Sequence, residues 1–106
     1  MLTIDTSKTD ETKVILEVDG TRREKLFASN VHTSQHVLPL LEELCHESKI
    51  SIQEITNIRV HTGPGSFTGL RVGACIGNLL GWLLDVPVNG KRTPVMKLDY
   101  GNDHWG

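Results

Sequence analysis

Four places in the chain carry residue types able to do chemistry. Asp5-Thr6-Ser7 sets a carboxylate and two hydroxyls side by side at the end of the first apolar run. Such a group either contacts a phosphate or closes a turn on its own backbone through Asp5 and Ser7. Ser66 lies in "GPGSFTG", residues 63–69. A nucleophile elbow needs Gly-x-Ser-x-Gly and a P-loop needs Gly-Lys-Ser/Thr at the helix start, and neither is present. Gly63, Gly65 and Gly69 are spaced one residue too long for a dinucleotide fingerprint. Ser66 therefore reads as an N-cap or a loop hydrogen-bonding residue.

His32 and His36 are four apart, a spacing that can share a metal on one helix face. His32 is expected to precede the helix and no third ligand is evident, so both read as exposed or capping histidines. Cys45 and Cys75 have no Cys-x-x-Cys partner and fall in apolar helical surroundings. They read as reduced, buried thiols. The sequence supports no catalytic residue and no metal site.

The elements that position these residues follow from periodicity. Residues 1–5, 12–18 and 22–31 read as strands, the second and third joined by Asp19-Gly20, a hairpin pair. Residues 34–47 turn to helical spacing, with Thr33 or Ser34 as N-cap and Pro39 near the first turns. A short helical turn near 51–55 leads to a strand at 57–61. The glycine loop, a long helix and a fifth strand at 86–90 follow. The order βββαβαβ predicts a mixed five-stranded sheet with helices packed on it, the ribonuclease-H-like lobe of actin, Hsp70-type ATPases and sugar kinases.

The long helix poses the main question, because glycine recurs at 65, 69, 73, 77 and 81. Each interior glycine costs a helix about 1 kcal/mol against alanine. On a wheel at about 100° per residue, Val72, Ile76, Leu79 and Leu83 share one aliphatic face, which suits the sheet. Gly73, Gly77 and Gly81 share another, flanked by Leu70, Ala74, Leu80 and Leu84. A glycine ridge lets a second helix approach more closely than usual. The expectation is a partner interface at Gly69, Leu70, Gly73, Ala74, Gly77, Gly81 and Leu84. The competing expectation is packing of the ridge inside the domain, against the 34–47 helix. If the ridge is open, leucine at 77 is tolerated by the fold, and alanine at Asn78, on the polar stripe, changes little. Gly63-Pro64-Gly65 reads as the turn into this helix, with Gly65 supplying a positive φ.

With 106 residues, 38% hydrophobic and 23% charged, the chain has room for one core and little reserve. A net charge of −2 with scattered basic residues gives no footprint for gripping nucleic acid alone. "MLTID" enters a strand without a basic leader, and residues 69–84 are short and interrupted by Arg71 and Asn78. The expected protein is soluble and cytoplasmic, without membrane contact.

"GPGSFTGLRVG" at 63–73, "SQHVLPLLEEL" at 34–44 and "LTIDTS" at 2–7 together resemble the N-terminal lobe of the TsaB (YeaZ) family over residues 1–90. The resemblance implies the actin-like fold and a role in making threonylcarbamoyladenosine in tRNA. It implies a non-catalytic subunit that docks to TsaD, a metal- and nucleotide-dependent transferase, with TsaE, an ATPase, joining them. The equivalent of the glycine helix lies in that interface. Contact with tRNA would be indirect, and without a partner a homodimer is expected. No cofactor is expected: Asp5, Thr6 and Ser7 take the place of the fold's phosphate-contacting hairpin. A lone lobe, with the family's second lobe missing, would make at most a weak contact with ATP or ADP, more at a partner interface than alone. Residues 91–106 do not match the family pattern and read as a tail. A small ATP-binding or ATPase domain and a homodimeric structural module are the alternatives.

Overall fold

The computed structural model describes residues 1–8, 11–28, 34–65 and 67–98, with backbone only at 34–36 and 67. Four strands form one mixed sheet: β1 (Leu2–Asp5), β2 (Glu11–Val18), β3 (Thr21–Ala28) and β4 (Ile58–Val60). Their spatial order is β3-β2-β1-β4, antiparallel except for the parallel pair β1–β4. Helix α1 (Ser34–Ser48) and helix α2 (Phe67–Leu84) connect and cover them, with a 3-10 turn at Ile52–Glu54 before β4. The expected hairpin is present, Val18 pairing with Thr21 around Asp19-Gly20. The third strand ends at Ala28, and residues 29–31 of its expected span lie outside the described residues.

Register explains the core. Leu2 stands between Leu16 and Ile58, and Ile4 between Val14 and Val60. Directly opposed residues share a face, so these six side chains form one apolar surface, all of it buried. Both helices lie on that surface, α1 over β2 and β3, α2 over β1 and β4. Val37, Leu41 and Leu44 of α1 join the cluster, as do Ala74, Ile76 and Leu80 of α2. The opposite face carries Thr3, Lys13, Glu17 and Arg59, as expected where a sheet meets water on one side. At the β3 edge, exposed charges blunt the free strand, and Lys25 reaches across to Glu47 of α1 at 2.6 Å.

The fifth strand is a correction. Residues 86–90 make only one parallel bridge, Ile58 to Val88. Asn89 and Gly90 both have positive φ, 52° and 80°, and reverse the chain. Val88 and Lys91 then exchange backbone hydrogen bonds of 2.8 and 3.1 Å. Asn-Gly is the preferred pair for such a tight turn, so this stop was legible in the residues. Where the backbone turns away, the Asn89 side chain continues the ladder. Its Oδ1 accepts from Val60 N–H at 2.7 Å, and its Nδ2 donates to Val60 O at 3.1 Å.

Candidate functional site

The first loop is built by its own side chains. Asp5 Oδ1 accepts from Ser7 N–H at 3.0 Å and from Ser7 Oγ at 2.6 Å, the turn that Asp and Ser favour. Burial pushes the Asp5 carboxyl up, but the two Ser7 donors, with His61 and Lys13 nearby, outweigh it and hold the group below its ordinary value. Thr6 is fully buried, and its hydroxyl donates a short hydrogen bond to the Gly69 carbonyl in the first turn of α2. Asp5, Thr6 and Ser7 are thus brought together, but their hydrogen-bonding groups are turned on the protein itself.

The glycine loop sits on this turn. A Cβ added at Gly65 would lie 2.6 Å from Ser7 Cβ and 2.8 Å from Ser7 O, so only glycine fits. Gly63, with φ 125°, takes the conformation open to glycine alone, which corrects the expectation that Gly65 would. Ser66, His32 and the side chain of His36 lie outside the described residues.

The ridge faces inward. A Cβ at Gly73 would run into Thr6 Oγ1, one at Gly77 into Val60 Cγ2, and one at Gly81 into Val88 Cγ2. Gly69, Leu70, Gly73, Ala74, Gly77 and Gly81 are buried in the chain's own fold, and Leu84 is half-buried against the core. The expected partner interface at these seven residues is therefore corrected, because their face already covers the sheet. The competing expectation named the wrong neighbour too: the ridge meets β4 and the residues flanking the sheet, not α1. Three side chains rest where three Cβ atoms would be, and that close helix–sheet contact offsets the helix cost of the glycines.

Turning the ridge inward turns the bulky residues outward. Leu79 is 55% exposed, Leu83 59% and Trp82 78%. Cys75 is exposed as well, against the expectation that both thiols would be buried, and Val72 lies on the same arc but is half-buried against the core. At about 100° per residue these five fall within roughly 100° of arc, centred opposite the ridge. Of Val72, Ile76, Leu79 and Leu83, the face expected on the sheet, Ile76 is buried and Val72 is half-buried against the core, whereas Leu79 and Leu83 are exposed. Cys45 is buried as expected, and burial, with Glu42 and Glu54, pushes its thiol up and away from thiolate chemistry.

Asn78 is not a free polar stripe residue. Its Oδ1 accepts from Val95 N–H at 2.8 Å and its Nδ2 donates to Val95 O at 2.9 Å, which fastens residues 91–98 along α2. Arg92 fastens the other end, donating to the Asp85 carbonyl and carboxylate at 3.1 and 2.9 Å. The described residues include no cluster of three or more His, Cys, Asp or Glu able to hold a metal, and no helix long and apolar enough to cross a membrane.

Fold and site define a mixed α/β domain that seals one face of its second helix and presents the other. Residues 26–92, more than half of the chain, match the family model "TsaD: tRNA N6-adenosine threonylcarbamoyltransferase". Curated relatives named "tRNA threonylcarbamoyladenosine biosynthesis protein TsaB" include those of Haemophilus influenzae, 35% identical over 83% of this chain and 37% of the relative, and Bacillus subtilis, 30% over 84% and 39%. The Escherichia coli relative of that name is 32% identical over 88% of this chain and 40% of its own length. The solved structure of YeaZ from Pseudomonas aeruginosa superposes with a TM-score of 0.76 at 29% identity, covering 82% of this chain and 42% of that one. The chain belongs to the TsaD family, on its TsaB (YeaZ) branch. It spans about two-fifths of the length of the curated relatives it matches.

Proposed function

We propose that this chain is a non-catalytic docking subunit of the tRNA threonylcarbamoyladenosine machinery, a ribonuclease-H-like lobe that holds a TsaD-type transferase on the outward face of α2. The observation that carries this reading is the exposed stripe of Cys75, Leu79, Trp82 and Leu83. An exposed apolar strip with a tryptophan on a regular helix has the make-up of a helix-packing interface with an anchor residue. It works in the cytoplasm, where tRNA is modified, and a TsaE-type ATPase joins the assembly. Contact with tRNA runs through the transferase. Without its partner the same stripe pairs with a second copy.

Nucleotide binding at Asp5, Thr6 and Ser7 is the weaker reading. The Thr6 hydroxyl is committed to Gly69, and both Ser7 donors are committed to Asp5. The test is titration of the full chain with the TsaD-type transferase of the same organism, read by calorimetry and by alkylation of Cys75. Binding with protection of Cys75, lost in Leu79→Ser, supports the reading. Absence of binding, or binding that leaves Cys75 as reactive as before, overturns it.

A further inference from the structure

A groove opens beside the outward stripe, between the last turns of α2 and residues 91–94. Its volume is about 180 Å³, and Trp82, Val86, Val88 and Pro94 line it together with the polar Asp85 and Lys91. Pockets for cofactors and drug-sized ligands run from about 300 Å³ upward, so this one is the size of a single side chain. The Pro94 side is held at two points, Val95 by Asn78 and Arg92 by Asp85. Trp82 belongs to groove and stripe alike, so the two surfaces are continuous. Arg92 is committed to Asp85, whereas Lys91 has no ion pair among the described residues.

We propose that this groove seats one large apolar side chain of the partner's docking helix, with a carboxylate beside that anchor meeting Lys91. The proposal rests on the docking reading above and adds a specificity site to it. Apolar anchors in preformed pockets dominate binding energy, and a rim charge chiefly selects and steers the partner. The occupant is therefore an amphipathic helix of the transferase bearing a large apolar residue with an Asp or Glu nearby.

The test compares three variants of the full chain in titrations with the same transferase. Pro94→Gly removes a wall and should weaken binding about tenfold or more. Lys91→Glu should weaken it about three- to tenfold at low salt, the difference shrinking as salt is raised. Leu79→Ser probes the stripe away from the groove. Each variant's melting temperature is checked, and binding is compared only for the folded chain. If Pro94→Gly and Lys91→Glu bind as wild type while Leu79→Ser does not, the groove is empty in the complex and this proposal fails, with the docking reading intact. If Leu79→Ser binds as wild type and Pro94→Gly does not, the stripe fails and the groove stands. If wild type itself does not bind, both fall.

Discussion

The two faces of α2 are made of opposite materials and do opposite work. Toward the sheet the helix shows glycine at 73, 77 and 81, and the side chains of Thr6, Val60 and Val88 fill the space left open. Toward solvent it shows leucine, leucine and tryptophan at 79, 83 and 82, each more than half exposed among the described residues. The difference teaches that side-chain size does not tell inside from outside. A helix buries whichever face fits its neighbour, and the β-branched side chains of Thr6, Val60 and Val88 fit backbone better than they fit leucine. Small residues mark the depth of an approach, and only the neighbour's shape says who approaches.

The sharpest way to break this contrast is Gly77→Leu. In an isolated helix leucine is better by nearly 1 kcal/mol. Here its first carbon already overlaps Val60 Cγ2 and three more follow. Overpacking costs typically about 1–3 kcal/mol and sometimes more. The expected loss is at or above the top of that range, enough to unfold a small domain in part. Urea denaturation should show it, and a wild-type midpoint would mean the ridge is not sealed. Gly77→Ala should lose less, and Val60→Ala should relieve it, with a coupling of about 1 kcal/mol in the double-mutant cycle.

Next in size is Thr6→Val. It keeps the shape, removes the buried hydrogen bond to Gly69 and sets a methyl where the hydroxyl oxygen nests on Gly73. The expected loss is about 1–2 kcal/mol by chemical denaturation, with Thr6→Ser milder. Smaller still is the pH effect of Asp5, whose turn supports Gly65 at the mouth of the helix. Its folded value is depressed, so its contribution is full above the ordinary carboxylate value of about 3.9 and is lost as pH falls through the folded value. Wild type and Asp5→Asn should therefore differ in urea midpoint at neutral pH and converge in acid. A constant difference across that range would remove Asp5 from the account.

The sheet was legible because strands alternate by two and helices by nearly four, and these periods survive tertiary context. The hairpin at Asp19-Gly20 was legible because its turn chemistry is local. The fifth strand was overextended because Asn89-Gly90 carries the same turn signal within an apolar run. The orientation of α2 was not legible, since both candidate faces are apolar and helical periodicity cannot say which one the sheet accepts. What decides is the match of Gly77 to Val60 and of Gly81 to Val88, contacts between segments far apart in the chain. Asn78 hid its role for the same reason, its partner being the backbone of Val95 rather than a residue type.

The smallest expected change in stability comes from the other face. Leu83→Ser removes an apolar side chain that is 59% exposed, so little buried surface is lost and nothing polar is buried in its place. Exposed substitutions of this kind fall within about 0.5 kcal/mol, and serine's slightly poorer helix propensity adds only a fraction of that. The melting temperature should therefore stay within a few degrees. Association should respond instead: sedimentation at rising concentration should show wild type self-associating and Leu83→Ser remaining a monomer. A large drop in melting temperature with self-association unchanged would reverse the contrast. It would mean that the leucine face is internal, and that the inward seating of the glycines no longer accounts for what α2 presents to solvent.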